Sequence, residues 1–166
     1  MAPFKKKNIT LIQTFDNKIN EKLLVKSRNV TQKRLESCGI KKIEEIVIPH
    51  KENILSDKIQ VCINQNIDII LIIGPHAITH IKDVIPNAIS MSGARIIRFG
   101  IPVEPGNLLL LSKFKSSNKD VYIIGMPSCA KSPKENGLDW VLWRILCNIN
   151  FKNSNLNELS VGGLIK

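Results

Sequence analysis

Two runs of consecutive apolar residues, each broken off by glycine and proline, constrain this chain most. Asp68-Ile69-Ile70-Leu71-Ile72-Ile73 leads into Gly74-Pro75-His76-Ala77, and Val121-Tyr122-Ile123-Ile124 leads into Gly125-Met126-Pro127-Ser128-Cys129-Ala130-Lys131-Ser132-Pro133. A short unbroken apolar run bounded by turn residues reads as a strand buried on both faces, which requires helices above and below its sheet. In such α/β sheets, ligands bind outside the carboxyl ends of the strands. Function is therefore sought in these two loops.

The rest of the chain supplies the remaining elements. Asn8 to Phe15 alternates and is rich in β-formers, giving a first strand, and Ile19 to Cys38 has helical spacing with Gly39 at the C-cap. A second strand over Ile43 to Ile48 stops at Pro49, a second helix covers Asn53 to Asn64, and the buried strand Asp68 to Ile73 comes third. A third helix starts near Lys82 and stops near Gly93, and Ala94 to Phe99 gives another strand. This βαβαβαβ alternation implies a largely parallel sheet covered on both faces. Gly100 to Asn107 is too rich in Pro and Gly for a regular element. Leu108-Ser112 and Val121-Ile124 then read as a hairpin around a polar turn at Lys113 to Lys119. Asp139 to Ile149 reads as a final, mostly buried helix.

At 166 residues the chain is long enough for one domain with a real core. Residues 1–7 read as a basic N-terminal tail, 8–150 as the α/β domain, and 151–166 as a polar C-terminal tail or truncation remnant. The net charge of +10 raises nucleic acid or an anionic membrane as partners. The excess lysine is spread from Lys5 to Lys166 without a dense patch beyond Lys5-Lys6-Lys7, aromatics are 5%, and no recognition motif is present. These points argue against nucleic acid, and a small phosphate-bearing ligand suits the charge equally well. Cys38, Cys62, Cys129 and Cys147 form no CxxC and no zinc-ligand pattern, so no metal site is expected and the thiols read as free, in a reducing cytoplasm. No stretch approaches the ~20 apolar residues of a membrane span.

The first loop admits two roles. Its backbone N–H groups and the following helix can hold an anion, with Thr79, Lys82 and the histidines shaping the site. Alternatively, Asp83 caps its helix and leaves Thr79 and His80 solvated. In the second loop, Ser128, Lys131 and Ser132 are suited to donate to a ligand, whereas Cys129 has no neighbouring base and does not read as a nucleophile. His50 and His76 could act as general bases, but nothing in the sequence pairs them with an orienting acid. No catalytic triad, Walker loop or Rossmann fingerprint is present, and catalytic residues stay unassigned.

At these loops the chain resembles the molybdopterin-binding domain of molybdenum-cofactor biosynthesis proteins, in the variety joined to a nucleotidyltransferase domain in bacteria. The similarity runs in register from Ile9 to Ile149. It rests on Ile73-Gly74 through Asp83-Val84-Ile85-Pro86, on Phe99-Gly100-Ile101-Pro102-Val103-Glu104-Pro105-Gly106-Asn107-Leu108, and on Gly125 through Asp139-Trp140-Val141-Leu142. The resemblance implies a three-layer αβα fold that binds molybdopterin or the molybdenum cofactor, a pterin bearing a dithiolene and a phosphate. It implies ligand contacts from Gly74, Pro75, His76, Ala77, Asp83, Pro105, Gly106, Asn107, Pro127, Ser128, Cys129, Lys131 and Ser132, with Asp83, Lys131 and Ser132 facing one cleft. It also implies a homo-oligomer and a partner nucleotidyltransferase or other cofactor-biosynthesis protein, with ATP and magnesium only if adenylyl transfer is retained. Three departures bear on that last point. Gly74-Pro75-His76-Ala77-Ile78 stands where adenylylating relatives carry Thr-Gly-Gly-Thr-Gly, and Pro75 has no N–H to offer. His50 follows Pro49 where those relatives place a catalytic aspartate. Ser128 stands where molybdate-inserting relatives have glycine. The resemblance thus leaves three roles open: a binding module serving a partner domain, a structural or oligomerisation module, and an ATP-dependent adenylyltransferase.

Overall fold

The computed structural model describes residues 3–149, 151 and 156–157. Among them the order is β1 (Ile9–Phe15), α1 (Glu21–Glu36), β2 (Glu44–Pro49), α2 (Glu52–Asn64), β3 (Ile69–Ile73), α3 (Val84–Met91), β4 (Arg95–Phe99), β5 (Leu110–Lys115), β6 (Asp120–Gly125) and α4 (Gly137–Leu146), with a short 3₁₀ turn over Ser128–Lys131 before α4. All five residues of β3 are buried, as its unbroken apolar run requires. Each such aliphatic side chain stabilises the fold by about 1.5–3 kcal/mol relative to exposure.

The six strands form one sheet in the order β2-β1-β3-β6-β5-β4. β2, β1, β3 and β6 pair in parallel, while β5 is antiparallel to both β6 and β4. The simple alternation places β4 next in the parallel array; it lies instead at the far edge, separated from β6 by β5. The physical reason is the hairpin. Ser116 closes its turn, with the Ser116 N–H donating to Lys119 O at 3.0 Å, and this fixes β5 against β6. Lys113 to Lys115, expected in the turn, extends β5.

Two apolar layers flank the sheet. Leu35 of α1 and Leu138, Val141, Leu142 and Ile145 of α4 pack on one face, whereas Leu55 and Ile59 of α2 and Ile85 and Ile89 of α3 pack on the other. The result is a three-layer αβα sandwich. Leu156, within the stretch read as a tail, is fully buried in the α1/α4 layer, so this position belongs to the core; the remainder of 151–166 lies outside the described residues except Phe151 and Asn157. In the N-terminal tail, the Lys5 N–H donates to Leu146 O at 2.7 Å.

Local chemistry sets the helix ends that carry the loops. Asn136 and Asp139 form a capping box at α4: the Leu138 N–H donates to Asn136 Oδ1 at 3.0 Å and the Asn136 N–H to Asp139 Oδ2 at 2.8 Å. Gly106, at φ +119°, lies so close to α4 that a Cβ there would sit 2.5 Å from the Gly137 nitrogen. Only glycine fits.

Candidate functional site

From β1 the chain crosses over α1 to β2 on one side, then over α2 on the opposite face to β3 on the other side of β1, so the strand order reverses between β1 and β3. Such a reversal opens a crevice at the carboxyl ends of the two strands. A cleft of about 270 Å³ lies there, lined by Gln13, Thr14, Asp16 and Lys18 from the end of β1, by Gly74 and Pro75 after β3, and by Lys131. The Lys131 ammonium donates to Gly74 O at 3.1 Å, which ties the second loop to the first. Burial lowers its pKa.

Lys131 owes its position to the 3₁₀ turn and to one buried arginine. The Ala130 N–H donates to Pro127 O and the Ser132 N–H to Cys129 O. Arg34 of α1 reaches across, donating from Nη2 to Ser132 O at 2.9 Å and pairing through Nη1 with the Asp139 carboxylate. The loop is thereby fixed to α1 and α4 together.

A second cleft, of about 370 Å³, opens on the β2 side and is lined by His50, Glu52, His76, Ala77, Thr79, Lys82 and Asp83 among others. His50 Nδ1 is 2.7 Å from Thr14 Oγ1; burial lowers the imidazole pKa, and nearby Asp16 opposes that shift. His76 Nε2 lies 2.7 Å from Asp16 Oδ2. Both histidines therefore have partners that sequence spacing did not reveal.

Asp83 stands at the start of α3 but does not cap its helix through its side chain. Its Oδ2 accepts instead from the Thr79 and His80 N–H groups, at 2.8 and 2.9 Å, and these bonds, His80 first, lower its pKa. Two N–H donors of the loop, those of Thr79 and His80, are thus held by an internal carboxylate.

The expected residues are thus only partly brought together. Gly74, Pro75 and Lys131 line the β1/β3 cleft, while His76, Ala77 and Asp83 line the β2-side cleft. Asp83 lines the β2-side cleft and Lys131 the β1/β3 cleft, while the Ser132 carbonyl faces Arg34. Pro105 and Gly106 pack on α4, Pro105 O accepting from the Gly137 N–H at 2.9 Å, and Asn107 O accepts from the Ile101 N–H. Pro127 is buried, Ser128 exposed and Cys129 half-buried. Burial pushes the Cys129 thiol pKa up, the opposite of an activated nucleophile. Gln13, Thr14, Asp16 and Lys18 carry no Gly or Pro signal in the sequence, although the exit of β1 is a carboxyl end like those of β3 and β6. Among the described residues, no three His, Cys, Asp or Glu side chains converge as a metal-binding group, and no helix is long and apolar enough to cross a membrane.

No family model matches the chain, and no curated protein matches its sequence. Solved structures do match. The tungsten cofactor synthesizing protein MoaB from Pyrococcus furiosus aligns with a TM-score of 0.57 at 11% identity, covering 95% of this chain and 99% of that one. A molybdenum cofactor biosynthesis protein B aligns at 0.55 and 16% identity, covering 90% of this chain and 98% of that one. At these identities the likeness is one of architecture: the chain has the three-layer αβα fold of MoaB-type proteins.

Proposed function

We propose that this protein binds molybdopterin or a closely related phosphorylated pterin in molybdenum-cofactor biosynthesis, as a module serving a partner catalytic domain such as a nucleotidyltransferase. The observation that carries the proposal is the half-buried Lys131 ammonium on the cleft at the β1/β3 reversal. A phosphate placed against it forms a charge-assisted hydrogen bond. Lys18 supplies a second cation on the same cleft. At about 270 Å³, the cleft is smaller than the ~300–1,000 Å³ that encloses a whole small-molecule ligand. It therefore suits the phosphate-bearing end and leaves the ring system toward the open mouth. The two matching structures are of cofactor-synthesis proteins, which supports the choice of ligand.

Binding without adenylyl transfer is the better account of the neighbouring cleft. His50 supplies an imidazole where adenylylating relatives have a carboxylate, and the Thr79 and His80 N–H groups are already spent on Asp83. The same occupied donors favour, as the second reading, a structural or homo-oligomeric module with no ligand. Equilibrium titration with molybdopterin under anaerobic conditions separates the two. Saturable binding supports the module, and its absence at tens of micromolar, roughly 6 kcal/mol, supports the structural reading. Formation of adenylylated pterin from ATP and magnesium would instead establish an adenylyltransferase.

A further inference from the structure

The β4–β5 edge carries charge that the carboxyl-end site does not use. Arg95 of β4 stands directly opposite Lys113 of β5, a cross-strand pair whose Cβ atoms lie about 4.5–5.5 Å apart and whose like charges repel. Lys115, two residues along β5, shares their face, and all three line a cleft of about 700 Å³ together with Asp120 and Tyr122 of β6 and Phe151. Lys113 is partly neutralised: its ammonium is 2.6 Å from Asp120 and 4.9 Å from the centre of the Tyr122 ring. Arg95 and Lys115 are exposed and have no carboxylate partner among the described residues. Protection of an edge strand against pairing with another chain explains charge on β4 itself. It does not explain Lys113, which lies on the inner strand opposite Arg95.

We propose that this cleft is a second anion site, which binds a small polyphosphate-bearing ligand. A phosphoryl group between Arg95 and Lys113 converts their repulsion into two attractions, with the guanidinium offering paired donors, and a second phosphoryl group reaches Lys115. The cleft lies at the amino ends of β3 and β6, since Lys115 pairs with Asp120 at the start of β6, so it is remote from the Gly74 and Lys131 loops. Its confinement to three strands fits a compact soluble anion and not an extended lipid surface, with Asp120 on its wall held by Lys113.

Because the carboxyl-end cleft would also take phosphate at Lys131, inorganic tripolyphosphate is titrated calorimetrically into Lys131→Ala and into the triple variant Lys131→Ala/Arg95→Gln/Lys115→Gln. Lys131→Ala should bind saturably, and the triple variant about tenfold or more weakly. Because Arg95 and Lys115 are exposed, their replacement should leave folding intact; removal of the like-charge pair should leave the unliganded melting temperature equal or higher, and tripolyphosphate should raise it only where Arg95 and Lys115 are present. Equal binding by the triple variant, or no binding by folded Lys131→Ala, would overturn the proposal. So would sedimentation with anionic-lipid vesicles that depends on Arg95 and Lys115 while tripolyphosphate gives no heat.

Discussion

Lys131 and His50 are the two side chains on which the proposed chemistry turns. Replacing Lys131 with alanine removes the ammonium from the β1/β3 cleft and its bond to Gly74 O, so affinity for a phosphorylated pterin should drop by about 1–3 kcal/mol. Unchanged affinity in a calorimetric titration would exclude Lys131 from the site. His50 gives a pH signature of stability. Its folded pKa lies below the ordinary 6.5 because the ring is buried. Between the folded value and 6.5 the unfolded chain binds more protons, so stability falls as pH drops through that window. His50→Gln should flatten this part of the urea-midpoint profile against pH; an unaltered slope would show that the burial of His50 carries no linkage.

At the scale of elements, the second loop depends on α1 and α4 through Arg34. Its guanidinium is buried with the Asp139 carboxylate, which also accepts from the Asn136 N–H. Arg34→Met leaves that carboxylate buried without its countercharge and should destabilise the fold by about 3–5 kcal/mol, read by chemical denaturation. A loss under 1 kcal/mol, the scale of an exposed pair, would mean that water reaches the carboxylate. Gly106→Ala tests the contact with α4 separately. Its Cβ would meet the Gly137 backbone, so a loss of about 2 kcal/mol or more is expected, and a stable variant would show that the two segments can separate. Sequence patterning made the strands before these loops legible because burial on both faces leaves an unbroken apolar run. It did not reveal the Arg34–Asp139 pair, whose partners are far apart in the chain and on different helices. Nor did it reveal Asp83 turning back to Thr79 and His80: an Asp before a helix has the same local signature whether it bonds forward or backward.

For the whole molecule, the alternating pattern specified the layers but not the order of the strands. Nothing local in Ala94 to Phe99 states that β5 will insert between it and β6; that follows from the hairpin and from the Gly100 to Asn107 crossover. The candidate site was half legible for a related reason. The loop exits of β3 and β6 carry visible Gly and Pro, whereas the exit of β1 at Thr14-Phe15-Asp16 gains meaning only once β1 and β3 are known to flank the reversal. The central claim is that a phosphorylated pterin binds at this reversal. Its most direct test is the amide chemical-shift map of the labelled protein during titration with molybdopterin. The expected shifts cluster at Thr14 to Lys18, Gly74 to Ala77 and Ser128 to Ser132. An unchanged spectrum at hundreds of micromolar ligand, or shifts confined to Arg95, Lys113 to Lys115 and Tyr122, would contradict it.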